Sequence, residues 1–388
     1  MRVLEELSLR GILSFGMDSP PLTMLPLNVL IGPNGSGKSN LIEAIGLLRS
    51  AATKLSEPIR PSRVEDWIWK GGTTNHAEVE AVISVPSAPQ SIRHRLEFTA
   101  SASRFELLDE AIENQNPDPG HGDPFFYYRF QRGRPVLSVH AGGKRQLERQ
   151  SVAPDESILS QRKDPDQFPE LARLADTYGN VRVYRNWSFG RTSVFRSPQP
   201  ADLPSDRLEE DFSNLGLFLN HLRSHPDAKR KIIERLSDLY EGLDDFDVRI
   251  KGGSVEVFLT EGSFTMPAGR LSDGTLRYLC MLAILCDPQP PSLLCIEEPE
   301  LGLHPDLLPK IADLMIEAST RTQLVVTTHS DIFVDAMTEQ PESVVIVEKR
   351  DARTRCNRLE ATGELQQWLE KYRLGQLWTR GELGGVRW

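Results

Sequence analysis

Gly32-Pro33-Asn34-Gly35-Ser36-Gly37-Lys38-Ser39 places two structural glycines, a lysine and a serine at the spacing GxxxxGK[ST]. Such a stretch binds phosphate when it follows a strand and opens a helix. Glycines let backbone N–H groups turn inward around phosphate oxygens, and the helix N-terminus adds positive potential. Lys38 then reaches the β- and γ-phosphates, and the Ser39 hydroxyl can hold Mg²⁺. Asn34, Gly35, Ser36, Gly37, Lys38, Ser39 and Asn40 are therefore the expected nucleotide-binding residues, with ATP and Mg²⁺ as cofactors.

A second feature, an acidic one, lies far along the chain. Leu293-Leu294-Cys295-Ile296-Glu297-Glu298 is an apolar run ending in two carboxylates. Side chains alternate along a strand, yet at its terminus both carboxylates can reach one ligand. Glu297 is expected beside the metal, and Glu298 orients or deprotonates an attacking water. Without the phosphate loop, the same run reads equally well as a solvated acidic turn.

These groups need elements to hold them. Leu27–Ile31 reads as a buried strand ending at the glycine-rich turn, and residues 40–51 as a helix with Leu41, Ile42, Ile45 and Leu48 on one face. Residues 3–9 and 12–15 read as short strands, and 77–86 with 93–98 as a hairpin or meander. Residues 101–180 are turn-rich and weakly patterned, with short strands at 125–130 and 135–140 and a short helix at 171–177. They are expected to be an insertion. In the second half, strands at 292–296, 323–328 and 344–348 alternate with helices at 274–286 and 306–319, the pattern of a parallel α/β sheet. A helical region at 213–239 breaks near Pro226. The expected domains are an N-terminal part, 1–100, the insertion 101–180 and a C-terminal part, 181–388.

The chain has 388 residues, 39% of them hydrophobic and 26% charged. That composition supports a buried core and excludes a disordered or collagen-like chain. A formal charge of −10 argues against indiscriminate coating of nucleic acid, though it leaves room for a local basic groove. No apolar run is long enough to span a bilayer, and the charged start, MRVLEELSLRG, does not read as a signal peptide. Cys280, Cys286, Cys295 and Cys356 form no CxxC and read as reduced thiols. The expected location is the cytoplasm, with no membrane insertion.

Further motifs carry a family likeness. Leu271-Ser272-Asp273-Gly274-Thr275 resembles the signature motif of ABC-type ATPases. Glu300-Leu301-Gly302-Leu303-His304-Pro305 resembles the D-loop of the SMC/RecF-like branch, and Thr327-Thr328-His329-Ser330 its switch-histidine loop. All stand in family order. The chain most resembles compact, stand-alone AAA/ABC ATPases of the RecF-like, SMC-related group, over residues 1–100 and 181–388. The resemblance implies an α/β P-loop NTPase fold: an ABC-type ATPase head with a β-rich N-terminal lobe and a small insertion. It also implies that two heads dimerise face to face, so that Ser272, Asp273 and Gly274 of one subunit meet the γ-phosphate held by the other. His329 then senses that phosphate, with Glu298 catalytic and Ser39 and Glu297 on the metal. Three departures stand out. Asp273 replaces a common glycine, Glu297 replaces the usual aspartate, and residues 63–72 occupy the place of a loop that usually bears a glutamine.

Other constellations are weaker. His221 and His225 have zinc spacing, but Leu222 and Pro226 favour a helix-end pair. Arg182, Arg185, Arg191 and Arg196 interleave with Tyr184, Trp187 and Phe189, and Arg129, Arg132 and Arg134 follow Tyr127 and Tyr128. That mixture suits nucleic acid, but pairing with nearby acids such as Asp202, Asp206, Glu209, Glu210 and Asp211 is the favoured explanation. The expected function is Mg²⁺-dependent ATP hydrolysis driving dimerisation, coupled to DNA or an effector protein in repair or in defence against foreign DNA. The alternatives are an ATP-binding scaffold that recruits a toxin or nuclease, and an ABC transporter subunit.

Overall fold

The computed structural model describes residues 2–86, 88–131, 134–138, 144–146, 153, 155–187, 189–190, 193–239 and 242–385. Arg132 and Arg191 of the arginine-rich segments lie outside these described residues.

The chain opens with β1 (Leu4–Arg10), β2 (Leu22–Thr23) and β3 (Leu27–Ile31). The stretch 12–15, expected as a strand, makes a single bridge from Ile12 to Ile68 instead. β3 feeds the glycine-rich turn and the helix Lys38–Ser50. β4 (His76–Ile83), β5 (Ile92–Ser101), β6 (Arg104–Asn114), β7 (Phe126–Gln131), β8 (Arg134–Ser138) and β9 (Lys144–Gln146) follow. All six join β1 and β2 in one antiparallel sheet of order β2-β1-β4-β5-β6-β7-β8-β9. The segment from 101 onward therefore extends this sheet, and β6 pairs along the whole of β5. The helix Pro169–Gly179 returns against the same core through Leu171, Leu174 and Tyr178.

β10 (Val181–Tyr184) starts the second half. After β11 (Gln199–Pro200) come the helices Leu215–Arg223 and Pro226–Ser237, divided at Pro226 as expected. β12 (Leu243–Lys251), β13 (Ser254–Glu261) and β14 (Phe264–Pro267) make a small antiparallel sheet with β11. The helix Asp273–Leu285 leads to β15 (Leu293–Glu297), and the helix Leu308–Ala318 to β16 (Gln323–Thr327). β17 (Val344–Arg350) and β18 (Arg353–Arg358) close the set.

The central sheet has the order β10-β15-β16-β3-β17-β18 and is parallel except for β18. Its inner strands are apolar at nearly every position because both faces are covered. Leu30, Cys295, Val325 and Val345 point to the face shared with the helix Lys38–Ser50 and the antiparallel sheet. Val29, Ile31, Leu294, Ile296, Leu324 and Val326 point to the other face, against the helices Asp273–Leu285 and Leu308–Ala318. From Thr275 to Leu285 the first of these helices is buried at every residue, which explains why it is apolar from Leu279 onward. This layering brings the C-terminal ends of β3, β15 and β16 to one edge of the sheet.

Candidate nucleotide site

The phosphate loop leaves β3 through Gly32, whose φ of +148° favours glycine. A Cβ there would meet the Val347 carbonyl oxygen at 2.0 Å. Gly37, with φ +110°, precedes Lys38 at the helix start. No side chain caps this helix and no acid lies in its first turn, so its first N–H groups are left for an anion. Thr354 of β18 braces the loop from below, donating to the Ser36 carbonyl at 2.6 Å, while Asn40 donates to Ser14 Oγ at 2.6 Å. Asn34 and Gly35 are exposed at the tip; Ser36 and Gly37 are buried.

Lys38 is buried, and its Nζ donates to the carbonyls of Gly32 at 2.7 Å and Pro33 at 3.0 Å. Burial pulls its pKa down to about 8, against the upward pull of Glu298 and Glu300. Ser39, one residue on, faces the acidic strand end: its Oγ donates to Glu297 Oε2 at 3.1 Å.

β15 ends at Glu297, and the next residue breaks the alternation of the strand. Glu298 takes φ +46°, a left-handed conformation that costs a non-glycine residue about 1 kcal/mol or more. That turn takes the Glu298 side chain out of the strand's alternation, toward His329, while Glu297 faces Ser39. Glu298 N–H donates to Thr327 O at 3.0 Å, pinning the turn to the end of β16. Glu298 Oε1 stands 3.7 Å from His329 Nε2. Glu300 locks the histidine loop, accepting from His329 N at 2.6 Å and Thr328 Oγ1 at 2.9 Å. Burial raises the Glu300 carboxyl above its ordinary value.

The phosphate loop, Glu297, Glu298 and His329 are thus one constellation. Ser272 and Asp273, of the segment expected as the signature motif, are exposed. Ser272 is the N-cap of the helix Asp273–Leu285 and accepts from Thr275 N at 3.1 Å. Asp273 pairs with Arg196, and Gly274 lies against the Gly302 carbonyl, where a Cβ would come within 3.2 Å. Residues 63–72 form a short helix at Val64–Trp67, after which Trp69 N donates to Gly11 O.

Sequence reasoning did not place the arginines here. Arg185 bonds Glu297 Oε1 at 3.0 Å and lies 3.5 Å from Glu43 Oε1. Arg182 donates to the Gly179 and Val181 carbonyls, and Arg129 pairs with Glu113. Trp187 donates through Nε1 to the Glu297 carbonyl at 2.6 Å, with the Arg277 guanidinium 4.7 Å from its ring centre. Glu43 and Glu297 are far from these arginines in sequence, so no local pattern signals the pairings. The histidine rings of 221 and 225 lie 4.8 Å apart at a helix end, where His225 Nδ1 contacts the His221 carbonyl at 3.2 Å. All four cysteines are unpaired, three of them buried.

The residues fit the groups their pattern implies. A hydroxyl and a carboxylate converge at Ser39 and Glu297, the hard-oxygen donor set that Mg²⁺ takes. An uncapped helix start and a buried lysine suit a triphosphate. No helix among the described residues is long and apolar enough to cross a membrane.

Residues 27–335 match a family described as AAA domain, putative AbiEii toxin, Type IV TA system. No curated protein sequence matches the chain. Among solved structures, the fold is similar to an Smc head bound to the C-terminal winged-helix domain of ScpA. The TM-score is 0.59 at 16% identity, covering 92% of this chain and 98% of that one. An Smc head from Pyrococcus furiosus, with an extended coiled coil and bound to the C-terminal domain of ScpA, gives 0.57 at 16% identity, covering 95% and 98%. An Smc head with a coiled coil and joint from Pyrococcus yayanosii gives 0.55 at 13% identity, covering 96% and 99%.

Proposed function

The chain belongs to this AAA domain family, as an SMC/RecF-like ATPase of the ABC type, and from that premise we propose that it couples Mg²⁺-dependent ATP hydrolysis to the pairing of two heads. The observation that carries the reading is the meeting of Lys38, Ser39, Glu297, Glu298 and His329 at one sheet edge.

The chain's residues divide the work. Backbone N–H groups of Gly35 to Ser39 cradle the phosphates, and Lys38 turns from the Gly32 and Pro33 carbonyls to place its charge on them. Ser39 and Glu297 would hold a magnesium ion, which would supply Lewis acidity toward the phosphate oxygens when bound. Glu298, held by its left-handed turn, accepts the proton of the attacking water, so that ADP and phosphate leave. His329, with Nε2 3.7 Å from Glu298 Oε1, would sense the terminal phosphate. Ser272, Asp273 and Gly274 open the helix Asp273–Leu285, where Ser272 caps the first turn and Asp273 is paired with Arg196; their role toward the nucleotide of a second copy is carried by the motif resemblance, not by a free helix N-terminus.

The matched family is described as a putative AbiEii toxin of a Type IV TA system, which points to a toxin–antitoxin setting; the cytoplasmic role in defence, with DNA or an effector protein as the partner, is our proposal from the sequence motifs. The second reading is a nucleotide-bound scaffold that recruits a toxin or nuclease with little turnover. Phosphate release by the purified protein with ATP and Mg²⁺ tests the main reading. Turnover that Lys38→Ala removes supports it; binding without turnover, with and without DNA, favours the scaffold.

A further inference from the structure

Four side chains close a ring beside the phosphate loop. Ser39 Oγ donates to Glu297 Oε2 at 3.1 Å. Glu297 Oε1 takes Arg185 Nη2 at 3.0 Å, and Arg185 Nη1 lies 3.5 Å from Glu43 Oε1. Glu43 stands four residues after Ser39 on the helix Lys38–Ser50, so the two share one face, a turn apart. The ring thus leaves the helix at Ser39 and returns to it at Glu43. Its backbone side is also tied, because Trp187, two residues past Arg185, donates to the Glu297 carbonyl at 2.6 Å.

We propose that Arg185 is a positioning residue for the metal-binding carboxylate: it holds Glu297 Oε1 so that Oε2 stays turned to Ser39. Three features favour this over an incidental surface pair. The two oxygens of Glu297 have separate donors, so Arg185 leaves Oε2 for the metal. The planar guanidinium spans two carboxylates that a single ammonium cannot bridge in the same geometry. Glu43 and Glu297 repel each other once the guanidinium between them is gone, which opens the ring. The side chains are partly shielded, Arg185 being 35% and Glu297 16% exposed, so solvent does not fully screen that repulsion. The proposal rests on the Mg²⁺-ATPase reading above.

The test uses Mn²⁺ as the probe, followed by its electron paramagnetic resonance signal, with the whole chain and a non-hydrolysable ATP analogue. Arg185→Ala should raise the Mn²⁺ concentration for half-saturation about tenfold, the scale expected when support of a metal ligand is lost. Arg185→Lys should fall between, keeping the charge and losing the bridge. Glu43→Gln should weaken Mn²⁺ binding less, and adding it to Arg185→Ala should recover part of the loss, since the Glu43–Glu297 repulsion goes with the charge. Binding of the analogue in EDTA should not change, and thermal melting verifies that each variant is folded. Unchanged or tighter Mn²⁺ binding by Arg185→Ala and Arg185→Lys would overturn the proposal, making the arginine a mere counter-charge. Loss of analogue affinity in EDTA would also overturn it, moving Arg185 onto the phosphates. If the unaltered protein binds no Mn²⁺ with the analogue, the Mg²⁺-ATPase reading itself fails, and Arg185 with it.

Discussion

Ser39 Oγ donates to Glu297 Oε2 at 3.1 Å across 258 positions of sequence, joining the first turn of a helix to the end of a strand on the same sheet edge. Both atoms are oxygen donors with no other evident task at that edge. Ser39→Ala and Glu297→Gln should each lower hydrolysis at limiting Mg²⁺ by at least about tenfold. Excess Mg²⁺ should restore part of the loss for Ser39→Ala. Chelation with EDTA should stop hydrolysis by the unaltered protein, and added Mg²⁺ should bring it back. A metal titration of phosphate release checks all three outcomes.

Lys38 predicts a pH dependence. Burial holds its free-state pKa near 8, below the ordinary lysine value. Bound phosphates raise it again, so above pH 8 nucleotide binding must take up a proton. Affinity should fall as pH rises through 8, by at most about tenfold per unit. Below pH 8, where the lysine is already charged, this contribution should be flat. Lys38→Ala should abolish measurable binding of a labelled ATP analogue, and Lys38→Met should remove the slope from any residual binding. Equilibrium titrations at pH 7, 8 and 9 read both effects.

Much of this site can be read before any coordinates. Spacing alone marks residues 32–39, and an apolar strand ending in Glu297 and Glu298 announces its carboxylates. The alternation of β3, β15 and β16 is hidden inside continuous apolar runs, yet those runs themselves imply a sheet covered on both faces. What sequence does not reveal is long-range side-chain pairing. Arg185 belongs to a segment whose arginines and aromatics look like a nucleic-acid surface; its partners, Glu43 and Glu297, come from elsewhere in the chain. Thr354 braces the phosphate loop from the antiparallel edge strand β18, and nothing near it marks that role. The left-handed turn at Glu298 is equally silent, because no glycine signals it.

Gly32 offers a backbone test. Its φ is +148°, and a Cβ added there would stand 2.0 Å from the Val347 carbonyl oxygen, which leaves no room for a side chain. Gly32→Ala should therefore displace β17 or the loop and lower stability by about 1–3 kcal/mol. Nucleotide affinity should fall with it, since the loop is shaped by this turn. Denaturant unfolding and analogue binding measure the two effects separately.

The core makes its own prediction. Leu279 and Ile296 are fully buried between the central sheet and the helix behind it. Truncating either to alanine should cost about 2–5 kcal/mol through lost burial and the cavity left behind. Leu301, 48% exposed beside the site, should tolerate alanine within about 0.5 kcal/mol of stability in the isolated head. Chemical denaturation curves of the three variants decide this.

Glu298 is the pivot of the proposed cycle, and light scattering of Glu298→Gln with ATP and Mg²⁺ tests it most directly. Glutamine keeps the reach of the side chain but cannot take a proton from water, so hydrolysis should drop by about 10²- to 10⁴-fold. ATP should still bind at Lys38 and Ser39, and paired heads should accumulate. Adding Ser272→Arg should return the protein to its nucleotide-free assembly state, because that exposed helix cap would face the partner's nucleotide. The predicted result is a doubled mass for Glu298→Gln with ATP, lost in the double variant. Wild-type turnover by Glu298→Gln, or ATP binding without any rise in mass, would contradict the account.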